Sequence, residues 1–230
     1  MSKMDLAHVC AYGFRKDVPK APREIYPATR IGTLVHGLLE ADLNNVSIVR
    51  ENVDPHELVD AKRIYDQLLS WVNPRRSRLI KCEFGMRYDT RTDTAAFGPK
   101  RGEPGYDDVP AHVLPGTGDL VLRGVDGVLE VVDVKTGKKE YASPAQLAAQ
   151  AVAVSRIYGA NVVRVGFLYP RKTKCDEPEW ETLDEDRLDA EAGRIGRVLR
   201  KLPIAEPVRG DWCWKCDARR DCPAWNVNAA

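Results

Sequence analysis

The sequence has no apolar run of membrane-spanning length; Gln, Arg or Asp interrupts every hydrophobic stretch well short of the roughly 20 residues a bilayer requires. The first residues, MSKMDLAHVCAYGFRKD, lack the apolar centre of a secretory signal, so the expected location is the cytoplasm, with no membrane partner. There is no internal repeat, no low-complexity tract, no helicase motif and no helix that reads as a base-recognition module. Charge of one sign is also missing. Lys and Arg number 35 against 34 Asp and Glu, a net of +1, which excludes a global basic footprint for nucleic acid but not a local basic channel.

What is present is a foldable chain. Its 230 residues are 43% hydrophobic and 30% charged, enough to bury a core and too apolar for disorder. One α/β or α+β domain fits that length. Six cysteines in a cytoplasmic chain point to metal or redox chemistry rather than to a disulfide framework. Cys10, Cys82 and Cys175 stand alone, whereas Cys213, Cys216 and Cys222 lie close together near the C-terminus. Three soft ligands fall one short of a tetrahedral thiolate site, so a fourth must come from elsewhere. The spacing fits zinc and iron–sulfur equally.

The periodicity predicts a helix over 29–43, with Ile31, Leu34, Val35, Leu38, Leu39 and Leu43 on one stripe. A second helix begins at Asp54 as N-cap, with Pro55 at N1 and Glu57 at N3 to close a capping box, and carries Leu58, Ile64, Tyr65, Leu68 and Leu69. LIKCEFGMRY, 79–88, reads as a strand; 89–117, rich in Gly, Pro, Asp and Thr, is either a hairpin arm or a mobile loop. A hairpin spans 118–135, followed by a helix from Pro144 to Tyr158, a strand at 161–169 and an amphipathic helix at 184–202. That order implies a mixed sheet flanked by helices.

The hairpin carries the chemistry. Alternation along a strand puts Asp133 and Lys135 on the same side. If the loop is the three residues Val125-Asp126-Gly127 with Gly127 left-handed, Asp119 falls opposite Asp133. Two carboxylates side by side call for a cation, and Mg²⁺ is held by one or two carboxylates, waters and phosphate oxygens. A neighbouring lysine can orient a water and offset charge developing on phosphorus, which suits metal-assisted phosphodiester hydrolysis. Asp-x-Lys is also an ordinary way for an edge strand to end in charge.

The surrounding residues add a resemblance. Gly116-Thr117-Gly118-Asp119 and Glu130-Val131-Val132-Asp133-Val134-Lys135-Thr136-Gly137 resemble the second and third motifs of PD-(D/E)XK nucleases, and Asp-x-Lys-Thr-Gly resembles the RecB-like branch. Gly32-Thr33-Leu34-Val35-His36, followed by leucines, is similar to that branch's histidine motif. Gln146 matches the first residue of its Gln-x-x-x-Tyr motif, with Gln150 where Tyr is usual. Glu83 matches a glutamate often found on the preceding strand, and reads equally well as a solvated strand residue. The tail spacing of Cys213, Cys216 and Cys222, with Cys10 upstream of the histidine motif, resembles the CRISPR-associated RecB-like exonucleases of spacer acquisition and the AddB nuclease domain, which hold a 4Fe-4S cluster.

That resemblance implies a single restriction-endonuclease-like domain over 1–230, with an N-terminal segment 1–28, a nuclease core 29–202 and a cysteine-rich tail 203–230. It implies a Mg²⁺- or Mn²⁺-dependent deoxyribonuclease, an exonuclease by its relatives, acting on DNA ends or single-stranded regions, with a CRISPR integrase or a helicase as possible partner. His36, Asp119, Asp133 and the carbonyl of Val134 would hold the metal, Lys135 would position water, and Gln146 would brace the site. Cys10, Cys213, Cys216 and Cys222 would share a structural cluster, with Cys82 and Cys175 as rival fourth ligands. Arg194, Arg197, Arg200 and Lys201 on the last helix are read as a solvated face or as phosphate contacts. The alternative from another class is a non-catalytic DNA-binding or assembly module with a zinc-stabilised tail. The nearest enzymatic alternative is a phage or recombination-repair nuclease outside CRISPR.

Overall fold

The computed structural model describes residues 26–45, 53–137 and 143–208, together with 210, 213, 216, 218 and 222–225. Helix α1 runs Pro27–Asn44, opened by Pro27 and closed by Asn45 in the left-handed region. Helix α2 runs Pro55–Val72, and Asp54 caps it by accepting the His56 N–H at 2.8 Å. The expected capping box does not close. Glu57 is buried and turns instead to Arg30 on α1, whose Nε donates to its carboxylate at 2.9 and 3.0 Å. A charge-assisted pair between two helices is worth more than a reciprocal bond to one free N–H.

Among the described residues seven strands form one sheet: β1 Leu79–Asp89, β2 Thr94–Gly98, β3 Val113–Arg123, β4 Leu129–Val134, β5 Val163–Pro170, β6 Cys175–Asp176 and β7 Glu181–Leu183. The order is β2-β1-β3-β4-β5-β6, with β7 also on β5. Of these strands only β4 and β5 pair parallel, and helix α3 (Pro144–Tyr158) lies in their crossover; the sheet is mixed, as expected. Helix α4 covers Glu185–Lys201.

The Gly- and Pro-rich segment 89–117 resolves into three parts. Thr94–Gly98 folds back on β1, 99–112 is a loop, and Val113–Gly118 forms the first half of β3, paired to β1. Pro115 is tolerated there because β4 pairs only with residues 120–123, leaving the start of β3 without a ladder on that side.

Two cores sandwich the sheet. Leu34, Val35 and Leu39 of α1 and Ile64 and Leu68 of α2 pack on Leu120, Leu122, Val132 and Val134. On the other face, Leu147, Ala151 and Val154 of α3 and Leu188 and Ile195 of α4 pack on Val121, Val131, Val163 and Val165. Every residue of β4 is buried, the apolar Leu129, Val131, Val132 and Val134 together with the charged Glu130 and Asp133. Among the described residues no helix is long and apolar enough to cross a membrane.

Candidate active site

The turn after β3 has the geometry anticipated from sequence. Gly124 N–H donates to Val128 O at 2.7 Å, Gly127 N–H to Gly124 O at 2.9 Å, and Gly127 takes φ 85°. The register runs from Arg123 with Leu129 to Leu120 with Val132, and Asp119 and Asp133 are the next residues on the two chains. Asp119 Oδ2 accepts the Val134 N–H at 2.6 Å, closing the end of the pair.

Asp133 is 1% exposed. A carboxylate so buried needs partners, and it has three. Lys135 Nζ lies 2.6 Å from Oδ2, while Gln146 and Gln150 both donate to Oδ1 at 3.2 Å. Gln150 also donates to the Thr117 carbonyl at 2.9 Å. Its departure from the tyrosine of the motif thus leaves it a direct partner of Asp133. The signal was available: a residue four on from Gln146 shares its helix face.

His36 arrives from the other layer. Gly32, one turn earlier on α1, lies so close to the strand end that a Cβ there would stand 2.8 Å from Thr136 Oγ1. The missing side chain lets α1 approach and brings His36 to the carboxylates. Its Nδ1 lies 2.7 Å from Glu83 Oε1 and 3.6 Å from Asp119 Oδ1.

Glu83 holds φ 44° inside a strand, a conformation that costs a non-glycine residue of order 1–2 kcal/mol. The effect on the strand is visible in the cores. Cys82 packs in the α1/α2 core and Phe84 in the α3/α4 core, although residues two apart in a regular strand share a face. The reversal lets Glu83 meet His36. Glu83→Gly is therefore expected to be more stable than Glu83→Ala by about 1 kcal/mol in urea unfolding, since only glycine adopts this φ without strain. Equal stabilities would show that the conformation is not costly.

Ligand atoms of His36, Glu83 and Asp119 lie within 4.8 Å of one another, close enough to share one metal ion. Asp133, expected as a ligand, is not in this group but stands beside it, its carboxylate in contact with Lys135 and the two glutamines. Val134 lines the same cavity and contributes its N–H to Asp119. Glu83 completes the set in place of the solvated role also open to it. One imidazole and hard carboxylate oxygens suit a divalent cation such as Mg²⁺ or Mn²⁺.

The electrostatics agree. Burial alone would lower the His36 pKa, but the charges of Asp119 and Glu83 outweigh it and raise it to about 10. Burial lifts Asp119 to about 7, with His36 pulling it down and the charges of Asp133 and Glu83 adding to the rise. The cluster keeps a proton because it needs positive charge, and a divalent cation competes for that place. The cavity around it, about 430 Å³, is also lined by Glu40, Lys100, Arg101 and Lys135.

A family model of the PD-(D/E)XK nuclease superfamily matches residues 1–223. The chain belongs to that superfamily. Its single α/β domain, a mixed sheet between helical layers, is the superfamily's restriction-endonuclease-like fold, and superfamily membership implies metal-dependent nuclease activity. Among solved structures it is similar to the one titled "Crystal structure of SSO0001", at 17% identity and a TM-score of 0.40, covering 96% of this chain and 93% of that one. No curated protein matches the sequence.

The remaining candidates are not among the residues that line this cavity. Cys213 and Cys222 are buried and Cys216 half-buried in the tail, where Cys216 N–H donates to Cys213 O at 3.1 Å and the Cys213 sulfur accepts the Gly210 N–H at 3.3 Å. Cys10 lies outside the described residues. Cys82 and Cys175 pack with the α1/α2 core, and burial raises both thiols, Cys175 to about 11, which disfavours the thiolate a metal would need. On α4, Arg194 is half-buried with its Nε 2.5 Å from Glu191, whereas Arg197, Arg200 and Lys201 are exposed.

Proposed function

We propose that this superfamily member is a RecB-like, Mg²⁺- or Mn²⁺-dependent DNA exonuclease that hydrolyses phosphodiester bonds at ends or single-stranded regions, in CRISPR adaptation, recombination and repair, or phage DNA processing. The observation that carries the reading is the meeting of His36, Glu83 and Asp119 beside the Asp133–Lys135 pair in one open cavity. A binding module has no use for such an acidic cluster near phosphates, which disfavours the non-catalytic alternative.

His36, Glu83 and Asp119 would hold the cation, with Asp133 and the Val134 carbonyl as further donors. When bound, the cation supplies charge neutralisation at the scissile phosphate and acidifies a coordinated water. Lys135, held at Asp133, orients the attacking water and offsets negative charge gathering on the phosphate. Gln146 and Gln150 fix the Asp133 carboxylate, so the lysine is preorganised rather than mobile. Water oxygen bonds to phosphorus, the bond to the leaving sugar oxygen breaks, and that oxygen takes up a proton. The test is cleavage of labelled linear, circular and single-stranded DNA with and without Mn²⁺. Cleavage only at one defined sequence of closed circular duplex would contradict the substrate reading.

The tail belongs to the same proposal. Cys10, Cys213, Cys216 and Cys222 would share a structural 4Fe-4S cluster, closing a very long loop between the two ends of the chain. The buried thiols of Cys213 and Cys222, close to a CxxC turn, support it. Anaerobically purified protein is expected to be brown, and Ser at any of the four positions to bleach it and lower solubility, with Cys82→Ser and Cys175→Ser retaining the colour. Colourless protein with one tightly bound zinc per chain would refute the cluster and leave the nuclease reading intact.

A further inference from the structure

The cavity is lined by three long basic side chains, and two of them are already taken. Lys135 is paired with Asp133. Lys100, on the loop 99–112, forms an ion pair with Glu40 of α1 and lies 3.8 Å from Glu103. Burial works against the Lys100 ammonium, but Glu40 more than compensates and raises its pKa, so the charge stays and the pairing is firm. Arg101 is different. It is exposed, lines the cavity, and makes no hydrogen bond or ion pair among the described residues.

The loop that carries it is not slack. Lys100 N–H donates to Glu103 Oε2 at 2.6 Å, and Glu103 N–H donates back to Lys100 O at 3.0 Å. Arg87, on β1, donates to Gly105 O at 2.7 Å, while Thr90 donates to His112 O from both N–H and hydroxyl. Together with the Lys100–Glu40 pair, these contacts fix both ends and the middle of the loop against α1 and β1. An exposed guanidinium is thus presented at the mouth of an acidic site by a braced loop.

That placement answers an electrostatic need. Glu83, Asp119 and Asp133 converge where a polyanion must enter, and a cation at the metal group offsets only part of their charge. An unpaired guanidinium on a braced loop offers planar, multidentate hydrogen bonding to phosphate oxygens. We propose that Arg101 binds a backbone phosphate of the DNA strand beside the scissile one, and that the Lys100–Glu40 pair is the anchor holding it there. This rests on the nuclease reading above and adds a substrate-positioning residue to it.

The test is a salt titration of binding to a labelled single-stranded oligonucleotide in Ca²⁺, with cleavage kinetics in Mn²⁺. Arg101→Ala is expected to weaken binding about tenfold and reduce the slope of log affinity against log salt by about one. In cleavage the loss should fall on KM rather than kcat. Arg101→Lys should recover most of the slope, because the charge returns, and less of the affinity, because the fork does not. Arg123→Ala removes an exposed charge at the far end of β3 and should leave the slope as it is. Arg101 makes no hydrogen bond or ion pair within the described fold, so its loss tests binding without unfolding the protein. An unchanged slope and affinity in Arg101→Ala, with wild-type cleavage intact, overturns this proposal and spares the nuclease reading; wild-type protein that neither binds nor cleaves DNA overturns both.

Discussion

Asp133→Asn is expected to stop cleavage of labelled DNA in Mn²⁺, with a loss of about a thousandfold or more, while the protein stays folded. The buried carboxylate serves two functions at once. One oxygen receives both glutamine amides and the other holds the Lys135 ammonium at 2.6 Å. Asparagine keeps the size and can still accept from Gln146 and Gln150, but it turns an uncharged amide toward the ammonium. Lys135 is then released. Because Lys135 keeps 26% of its side chain in solvent, it can swing into water, and the fold survives. Lys135→Ala and Asp119→Ala should match the loss. His36→Ala should be milder, since water can replace one ligand of a hard cation. Circular dichroism and melting check folding; wild-type turnover by folded Asp133→Asn would remove the pair from the mechanism.

Gly85→Ala is expected to cost about 3 kcal/mol or more of stability, read as a shifted urea midpoint. A Cβ at Gly85 would stand 2.2 Å from both Gly98 O and Pro99 O and 2.3 Å from Pro99 C. These are backbone atoms of the end of β2 and of the first residue of the loop after it, and they cannot turn aside. The pairing of Gly85 with Gly98 must open, and with it the start of the loop that presents Lys100 and Arg101. Gly118→Ala meets a different obstacle, the Phe84 ring at 2.5 Å, which is side chain but 4% exposed and closely packed. It should be costly, but less so than Gly85→Ala. A wild-type midpoint for Gly85→Ala would show that β2 is not held against β1 as described.

The parts of this site legible in sequence were those written in local spacing. Turn chemistry at Gly127 set the β3–β4 register, and with it the nearness of Asp119 to the end of β4, because a three-residue loop ending in a left-handed glycine permits one alignment. Helical period put His36 one turn beyond Gly32, though the reason for that glycine, its contact with Thr136, required a neighbour 104 positions along the chain. Glu57 shows the converse. Its position at N3 is a sound capping signal, yet a guanidinium from α1 outcompeted the local N–H.

Composition and periodicity by themselves determined the helices, the central hairpin and the carboxylate–lysine cluster, since each depends on bonds and faces within a few residues. Tertiary structure alone decided three things. It folded Val113–Gly118 into β3 despite its glycines and proline, because pairing with β1 supplies what propensity does not. It put Gln150 on Asp133, because burial of a charge demands every donor in reach. It brought Glu83 to His36 and Asp119 through a left-handed residue that no strand pattern announces, because the strain is repaid by contacts from α1 and β3, far away in sequence.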